Sequence, residues 1–366
     1  MRLQVLQEEL SKALSLATRF ASAKAQLPVL GNILFTAKGG KLLISSTNLE
    51  ISVNISIGAK VEDDGEITIP AKVITDIISN LNPGQISLTS NKESVEIVSS
   101  EFESTISGMN PQDFPSVPKK LEKIDLSLPR EELTDALGNL LFSVSVDETR
   151  PVLTGVLFLC QRGGLTMVST DGYRLSQQSL KGGNSTKVFT AILPKSVLSE
   201  IARLSEGDMI DFFFDKENNQ IVFKSENVIL SSRILDGSFP DYEKIIPKTH
   251  MLKISVDKED LVKGVKLAAV FARDSANIVK FNIKNKQLEI NAESQISGRQ
   301  KTKMDIRSEG ENLEIAFNYR FLEEVLQVID GEDVDIEFSG PSSPAIFKDP
   351  KNKNFLHLIM PIKLES

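Results

Sequence analysis

Side chains able to do chemistry are few and scattered. Asp171 stands in STDGYRL (169–175), but Asp-Gly between apolar stretches is first a hairpin signal, and no partner base accompanies the carboxylate as an acid catalyst would require. The two histidines, His250 and His357, lie far apart in sequence, leaving little material for a triad or a zinc site. The acidic run DGEDVDIEF (330–338) has Gly331 second where a calcium loop needs glycine sixth, and Val334, Ile336 and Phe338 alternate as on a strand. AKGGKLLIS (37–45) fails as a phosphate loop, with Phe35 in place of the first glycine and Leu42 in place of the magnesium-binding hydroxyl. Cys160, the single cysteine, sits in the apolar run GVLFLC and reads as a buried structural thiol. No catalytic residue, metal site or cofactor is expected.

The elements that hold these residues repeat three times. QEELSKALSLATRF (7–20), REELTDALGNLLFSV (130–144) and KEDLVKGVKLAAVFA (258–272) each carry one apolar stripe, such as Leu10, Ala13, Leu14 and Ala17, behind an acidic helix start. Strand pairs follow, in which Phe35, Phe158 and Phe281 recur at intervals of 123 and 123 residues. A second helix is predicted over 69–81, 193–204 and 317–329, where Pro70, Pro194 and Asn318 recur at intervals of 124 and 124. The reading is an α+β chain of three tandem domains, 1–118, 119–249 and 250–366, each with two helices packed on about eight short antiparallel strands.

At 366 residues, 40% hydrophobic and 25% charged, the chain suits several compact domains rather than disorder. The N-terminus MRLQVLQEEL reaches two glutamates before any signal-peptide core, and no stretch approaches the ~18 apolar residues of a membrane span, so a cytoplasmic protein without a membrane partner is expected. Net charge is −8, which opposes nucleic-acid binding by bulk attraction. Its distribution is uneven. Leu10 to Leu49 holds no acid but five bases, and Leu261 to Arg273 holds Lys263, Lys266 and Arg273 without an acid, whereas VEDDGEI (61–67) and DGEDVDIEF are acidic. One face can therefore be basic while the other keeps the particle soluble. Short joints between equal units predict a stiff arc, and an arc with unlike ends can meet a second copy head to tail. The middle repeat fits least, because its first helix carries Glu131, Glu132 and Asp135, leaving Arg150, Lys195 or Arg203 to supply positive charge.

LPVLGNILF (27–35), STDGYRL (169–175), SFPDY (238–242) and MPIKL (360–364), spread over a triplicated chain, closely resemble the bacterial DNA sliding clamps, the beta subunits of DNA polymerase III. The resemblance spans the whole length. It implies a DNA clamp fold forming half of a closed ring: a homodimer, head to tail, that encircles double-stranded DNA without sequence preference and has no catalytic activity. Implied partners are the clamp loader, the replicative polymerase, other polymerases, ligase and mismatch-repair proteins, held through short peptide motifs. The family's peptide pocket maps onto Leu153, Thr170, Gly172, Tyr173, Arg174 and Leu175, then Pro240, Lys244 and Ile245. From the third unit it takes Asn318, Phe321, Ser343, Leu358, Ile359, Met360, Pro361 and Ile362. DNA contacts map onto Lys24, Lys72, Arg150 and Lys195, and the dimer knob onto Val270 and Phe271. Three departures stand out. Tyr173 replaces a frequent histidine, Lys244 replaces a common arginine and so loses bidentate geometry, and Glu365 and Ser366 follow the usual final leucine. A repeat scaffold that binds peptides without encircling DNA is the alternative reading.

Overall fold

The computed structural model describes every residue except 23–26, 92, 182–184, 186 and 364–366. The first repeat runs β1 (Arg2–Leu6), α1 (Gln7–Ala17), β2 (Asn32–Lys38), β3 (Lys41–Thr47), β4 (Ile51–Gly58), β5 (Lys60–Asp63), β6 (Gly65–Pro70), α2 (Ala71–Asn80), β7 (Gln85–Ser90), β8 (Ser94–Val98) and β9 (Glu103–Ser107). The second runs β10 (Leu126–Pro129), α3 (Arg130–Leu141), β11 (Gly155–Gln161), β12 (Gly164–Thr170), β13 (Arg174–Lys181), β14 (Phe189–Pro194), α4 (Lys195–Ile201), β15 (Met209–Asp215), β16 (Gln220–Ser225) and β17 (Val228–Arg233). The third runs β18 (Leu252–Asp257), α5 (Lys258–Ala272), β19 (Ile278–Lys284), β20 (Gln287–Ser294), β21 (Gly298–Asp305), β22 (Arg307–Gly310), β23 (Leu313–Asn318), α6 (Tyr319–Val328), β24 (Asp333–Phe338), β25 (Ala345–Lys348) and β26 (Phe355–Ile359).

The first helix of each repeat follows its apolar stripe; α5 fills its predicted span, 258–272, and the other helices are shorter than the pattern suggests. α1 gives way at Ala17 to a 3-10 turn, Thr18–Phe20, and α3 stops at Leu141, where Ser143 donates its N–H only three residues back to Leu140. The second helices start two residues later than expected, because Pro70, Pro194 and Asn318 still end the preceding strands with extended ψ of 117°, 140° and 119°. Asp257 and Asn318 cap α5 and α6, accepting N–H bonds from Asp260 and Arg320 at 3.0 Å. Gly264 lets α5 lie close to its sheet: a Cβ there would stand 2.7 Å from Met304 Cε on β21 and 3.0 Å from Ile290 Cδ1 on β20, so those side chains would have to shift.

Two compact units emerge, one of Met1–Arg130 with Leu204–Ile234, the other of Glu131–Arg203 with Leu235–Ser366. The first holds a five-stranded sheet, β5-β1-β7-β8-β9, and an eight-stranded sheet, β10-β15-β16-β17-β4-β3-β2-β6. The second holds a nine-stranded sheet, β14-β11-β12-β13-β26-β25-β24-β18-β22, and a four-stranded sheet, β21-β20-β19-β23. Each long sheet contains strands of two successive repeats, joined antiparallel through β17 and β4 in the first unit and through β26 and β13 in the second. The core of the second unit is built around Phe281, Phe317 and Phe347, stacked edge to face at 5.5 and 6.1 Å. DGEDVDIEF is a strand face as expected, with Val334, Ile336 and Phe338 fully buried on β24, and Cys160 is buried.

His357 lies at the β13–β26 join and is fully buried. Its Nδ1 meets the Ser176 hydroxyl at 2.7 Å, its ring lies 5.1 Å from Phe142, and its Nε2 has no partner. Burial, with the nearby Arg174 charge, pushes its pKa well below 6.5. The folded chain therefore keeps the ring neutral while the unfolded chain takes up a proton below 6.5, so stability falls as pH drops through that value toward the folded pKa. Thermal unfolding between about pH 7 and 5 should show wild type losing stability faster than His357→Gln, by at most about 1.4 kcal/mol per pH unit. Parallel pH profiles would contradict this.

Candidate functional site

The best-formed site is organised by the connection between β12 and β13. The Thr170 hydroxyl donates to the Arg174 carbonyl at 2.6 Å and accepts the Gly172 N–H at 3.0 Å. The Asp171 carboxylate accepts N–H bonds from Tyr173 (2.9 Å) and Arg174 (3.1 Å) and pairs with Arg174 Nε at 3.0 Å. Gly172 has φ +94°, a left-handed conformation that favours glycine, and an added Cβ would stand 3.0 Å from Arg150 Nη1, the tip of a flexible side chain. The first repeat makes the same turn with other residues. There Thr47 bonds the Ile51 carbonyl and Leu49 N–H, and Asn48 accepts from Glu50 and Ile51. An amide thus does the turn-forming work of Asp171, which accounts for this carboxylate without acid chemistry.

Tyr173 is thrown outward, 63% exposed, whereas Arg174 turns inward and is buried. Arg174 pairs with Glu324 on α6 through Nη1 and donates from Nη2 to the Phe142 carbonyl at 2.7 Å. Its guanidinium lies 4.6 Å from the Phe321 ring and 5.4 Å from Phe142. The resemblance maps Arg174 onto the peptide pocket; its contacts here brace Phe142, Phe321 and α6.

Chain beyond β26 completes the surface. Met360 N–H donates to the Tyr173 carbonyl and Ile362 N–H to Ala316, both at 2.8 Å. Met360 stays exposed, and Pro361 and Ile362 are half-buried. Leu175, Leu358 and Ile359, by contrast, have almost no accessible surface, and Leu153 is buried. Leu175 and Leu358 pack with Leu157, Val168, Ile192 and Tyr242 as backing to the surface, with Val152, Phe239 and Ile246 against them. Pro240, Lys244 and Ile245 are exposed, with Lys244 2.7 Å from Asp241, whose hydrogen bond raises the lysine pKa. Asn318 spends its side chain on the α6 cap, and Ser343 lies in the turn before β25, donating its N–H to Gly340. Phe142, Glu324, Tyr242 and Val152 were not singled out from sequence; only Tyr242, in SFPDY, carried a motif signal.

The basic residues divide by environment. Lys72 is exposed on α2, and Lys195 opens α4 half-buried. Lys24 lies outside the described residues. Arg150 is exposed but paired with Asp147 at 3.1 Å, whose pKa is lowered by Thr149 and by Arg150; Arg203 pairs with Glu200 at 2.8 Å. On α5, Lys263 and Lys266 flank a shallow groove of about 470 Å³ floored by Val262 and Leu267. At its end Val270 is exposed and Phe271 is half-buried against the core of the second unit. Among the described residues no cluster of three His, Cys, Asp or Glu forms, and no helix is long and apolar enough to cross a membrane.

Comparison with known proteins covers almost the whole chain. Residues 1–118, 127–241 and 243–363 match the family models for the N-terminal, central and C-terminal domains of the DNA polymerase III beta subunit. The beta sliding clamp of Staphylococcus epidermidis is 30% identical, with 93% of this chain aligned to 94% of that one, and the clamp of Synechococcus elongatus is 31% identical over the full length of both. Among solved structures, the DNA polymerase sliding clamp from Bacillus subtilis superposes over all of both chains with a TM-score of 0.94 at 24% identity. That from Pseudomonas aeruginosa, solved with a ligand, does so with a TM-score of 0.93 at 26% identity. With three repeats of two helices on antiparallel sheets matched in order and in full, the chain belongs to the DNA polymerase III beta subunit family, the bacterial sliding clamps.

Proposed function

We propose that two copies of this clamp subunit close head to tail into a ring that encircles duplex DNA, slides along it without reading sequence, and tethers the replicative polymerase. Each copy contributes three domains, 1–118, 119–249 and 250–366, a division supported by the three family matches. The observation that carries the ring is a pattern of strand edges. Twice within the chain the third strand of one repeat's first sheet (β4, β13) pairs with the last strand of the next repeat's second sheet (β17, β26). The remaining members of the two sets are β21 and β9, and each is the edge of its sheet. A second copy satisfies both at once, because a heterologous contact repeated twice closes a two-fold ring. Val270 and Phe271 extend that contact as an apolar knob. The subunit does no chemistry of its own; opening is the work of a loader, and it acts in the cytoplasm.

Inside the ring, Lys24, Lys72, Arg150 and Lys195 touch phosphates, with Arg150 the weakest candidate because Asp147 already offsets it. Partner peptides from the loader, polymerases, ligase and mismatch-repair proteins settle on the patch of Tyr173, Ile245 and Met360, backed by Leu175 and Leu358. The exposure of those three apolar side chains supports this. So does a Pseudomonas aeruginosa clamp solved bound to griselimycin, which shows that a relative offers a ligand site.

Two experiments test the reading. The subunit should scatter light as a dimer and, once loaded, stay on closed circular DNA and fall off when the circle is cut; Lys24, Lys72 and Lys195 changed to Glu should shorten retention at least about tenfold. A peptide scaffold that never surrounds DNA loses nothing in this test. For the patch, Tyr173→Ala with Met360→Ala should weaken partner-peptide binding by roughly tenfold or more while the dimer persists. Unaltered affinity would mean the peptide sits elsewhere.

A further inference from the structure

The strand that leads into the peptide patch carries a buried histidine. His357 is 0% exposed, stands between Ser176 on β13 and Phe347 on β25, and lies three residues before Met360. The Ser176 hydroxyl meets its Nδ1, while Nε2 has no hydrogen-bond partner among the described residues. A neutral ring leaves only that one polar atom unmet; an imidazolium would add a buried charge to it.

The ring is also tied to the brace of the patch. Its centroid lies 5.1 Å from that of Phe142, whose own ring lies 5.4 Å from the Arg174 guanidinium, which in turn lies 4.6 Å from the Phe321 ring. His357, Phe142, Arg174 and Phe321 thus form one chain of contacts from β26 to α6. Arg174 stands two residues before Ser176 on the same face of β13 and opposes Ile359. The next residue, Met360, donates its N–H to the Tyr173 carbonyl.

Charge around the ring is one-sided. On β13 it is Arg174, with Asp171 in the turn before that strand; on α6 it is Glu324, and both carboxylates are already paired with the guanidinium. The end of α3 presents Phe142, and β25 presents Phe347, whereas Lys348 alternates to the other face, where Glu337 holds it at 2.7 Å. Asp349, past the end of β25, accepts the N–H groups of Asp330 and Lys351. A protonated His357 would therefore meet no uncommitted carboxylate among the described residues, and Phe142 would border two cations. The lowered pKa of His357 agrees with this arrangement.

We propose that His357 is a positioning residue for partner-peptide binding: held neutral, it seats Phe142 and Arg174 and so keeps Tyr173 and Met360 in place, and protonation releases them. Partner peptides then bind less tightly as pH falls. The sign follows from linkage, because a peptide that requires the closed join with a neutral ring competes with a proton that requires the open, hydrated one. This rests on the peptide patch of the proposed function and adds to it a buried determinant and a pH dependence.

The test is the affinity of the full-length protein for griselimycin between about pH 7.5 and 5, over the range in which circular dichroism shows wild type and His357→Gln folded. Glutamine stays neutral throughout. The two proteins should bind alike at the upper end, and across the range wild type should lose at least about fivefold more affinity than the variant, since one linked proton changes affinity by up to about tenfold per pH unit. A purely structural role would weaken the variant equally at every pH, and such parallel slopes overturn the proposal. Should His357→Gln fail to fold, wild type carrying nitrogen-15-labelled histidine supplies a second measurement. With exposed His250 as the reference, bound griselimycin should move the His357 titration to lower pH; an unmoved titration also overturns the proposal. Wild type that does not bind griselimycin at about pH 7.5, or binds it equally well after Tyr173→Ala with Met360→Ala, overturns the patch and this inference together.

Discussion

An open strand edge is a row of unpaired N–H and C=O groups, and most of this structure answers that constraint. A repeat of this kind cannot close its own sheets, so each sheet edge must be capped by a neighbouring repeat, hidden, or charged. Within the first unit β17 caps β4, and within the second β26 caps β13. Side chains lock each register: Ser52 meets Ser231 at 2.7 Å, and Ser176 meets His357 at the same distance. A one-residue slip of β17 would turn Leu230 off the face it shares with Val53, so the buried face helps enforce the ladder.

The charge economy follows from the same division of labour. A net charge of −8 opposes tight, static binding of DNA by bulk attraction, and the proposed ring would need none, because topology would retain the duplex. Weak contacts are an advantage to a sliding protein. Acidic side chains on β5 and β8 are exposed, those on β24 are half-buried beside basic partners, and Lys263 and Lys266 are exposed on α5. The middle repeat contributes least positive charge, since Arg150 and Arg203 are each tied to a carboxylate.

The repeat was legible because burial imposes periods that survive in sequence: the phenylalanines at 35, 158 and 281 all have 0% exposure, and the stripes of the first helices read correctly, whereas Val73, read into the stripe of α2, is exposed. The bounds of α5 were read correctly, but the other helices were overrun by one to three residues, since an apolar stripe does not reveal where a strand hands over to a helix at Pro70 or Pro194. Strand partners were illegible. Ser52 and Ser231 meet across 179 residues, and alternation tells which face is buried but not which strand lies alongside. The site was read through resemblance, and what that missed is physical. Arginine reads as a surface residue, and nothing near Arg174 announces that Glu324, 150 residues on, will meet it beneath two phenylalanine rings.

Comparison of the two internal joins explains why they present different surfaces. The turns at Thr47–Ile51 and Thr170–Arg174 share their hydrogen bonds, so the scaffold is common and only the side chains differ. Where the first repeat has Glu50 and Ile51, the second has Tyr173 and Arg174. Ile51 simply closes its join against Ser232, leaving a sealed edge. Arg174 opposes Ile359 instead, and its charge must be met inside the fold, which draws Glu324, Phe142 and Phe321 around it. That bracing leaves Tyr173 projecting, and its carbonyl takes the Met360 N–H, steering the last residues past the join toward β23. The surface around Tyr173 and Met360 is therefore what the common join becomes when a buried cation replaces an isoleucine, and Arg174 braces it while itself hidden.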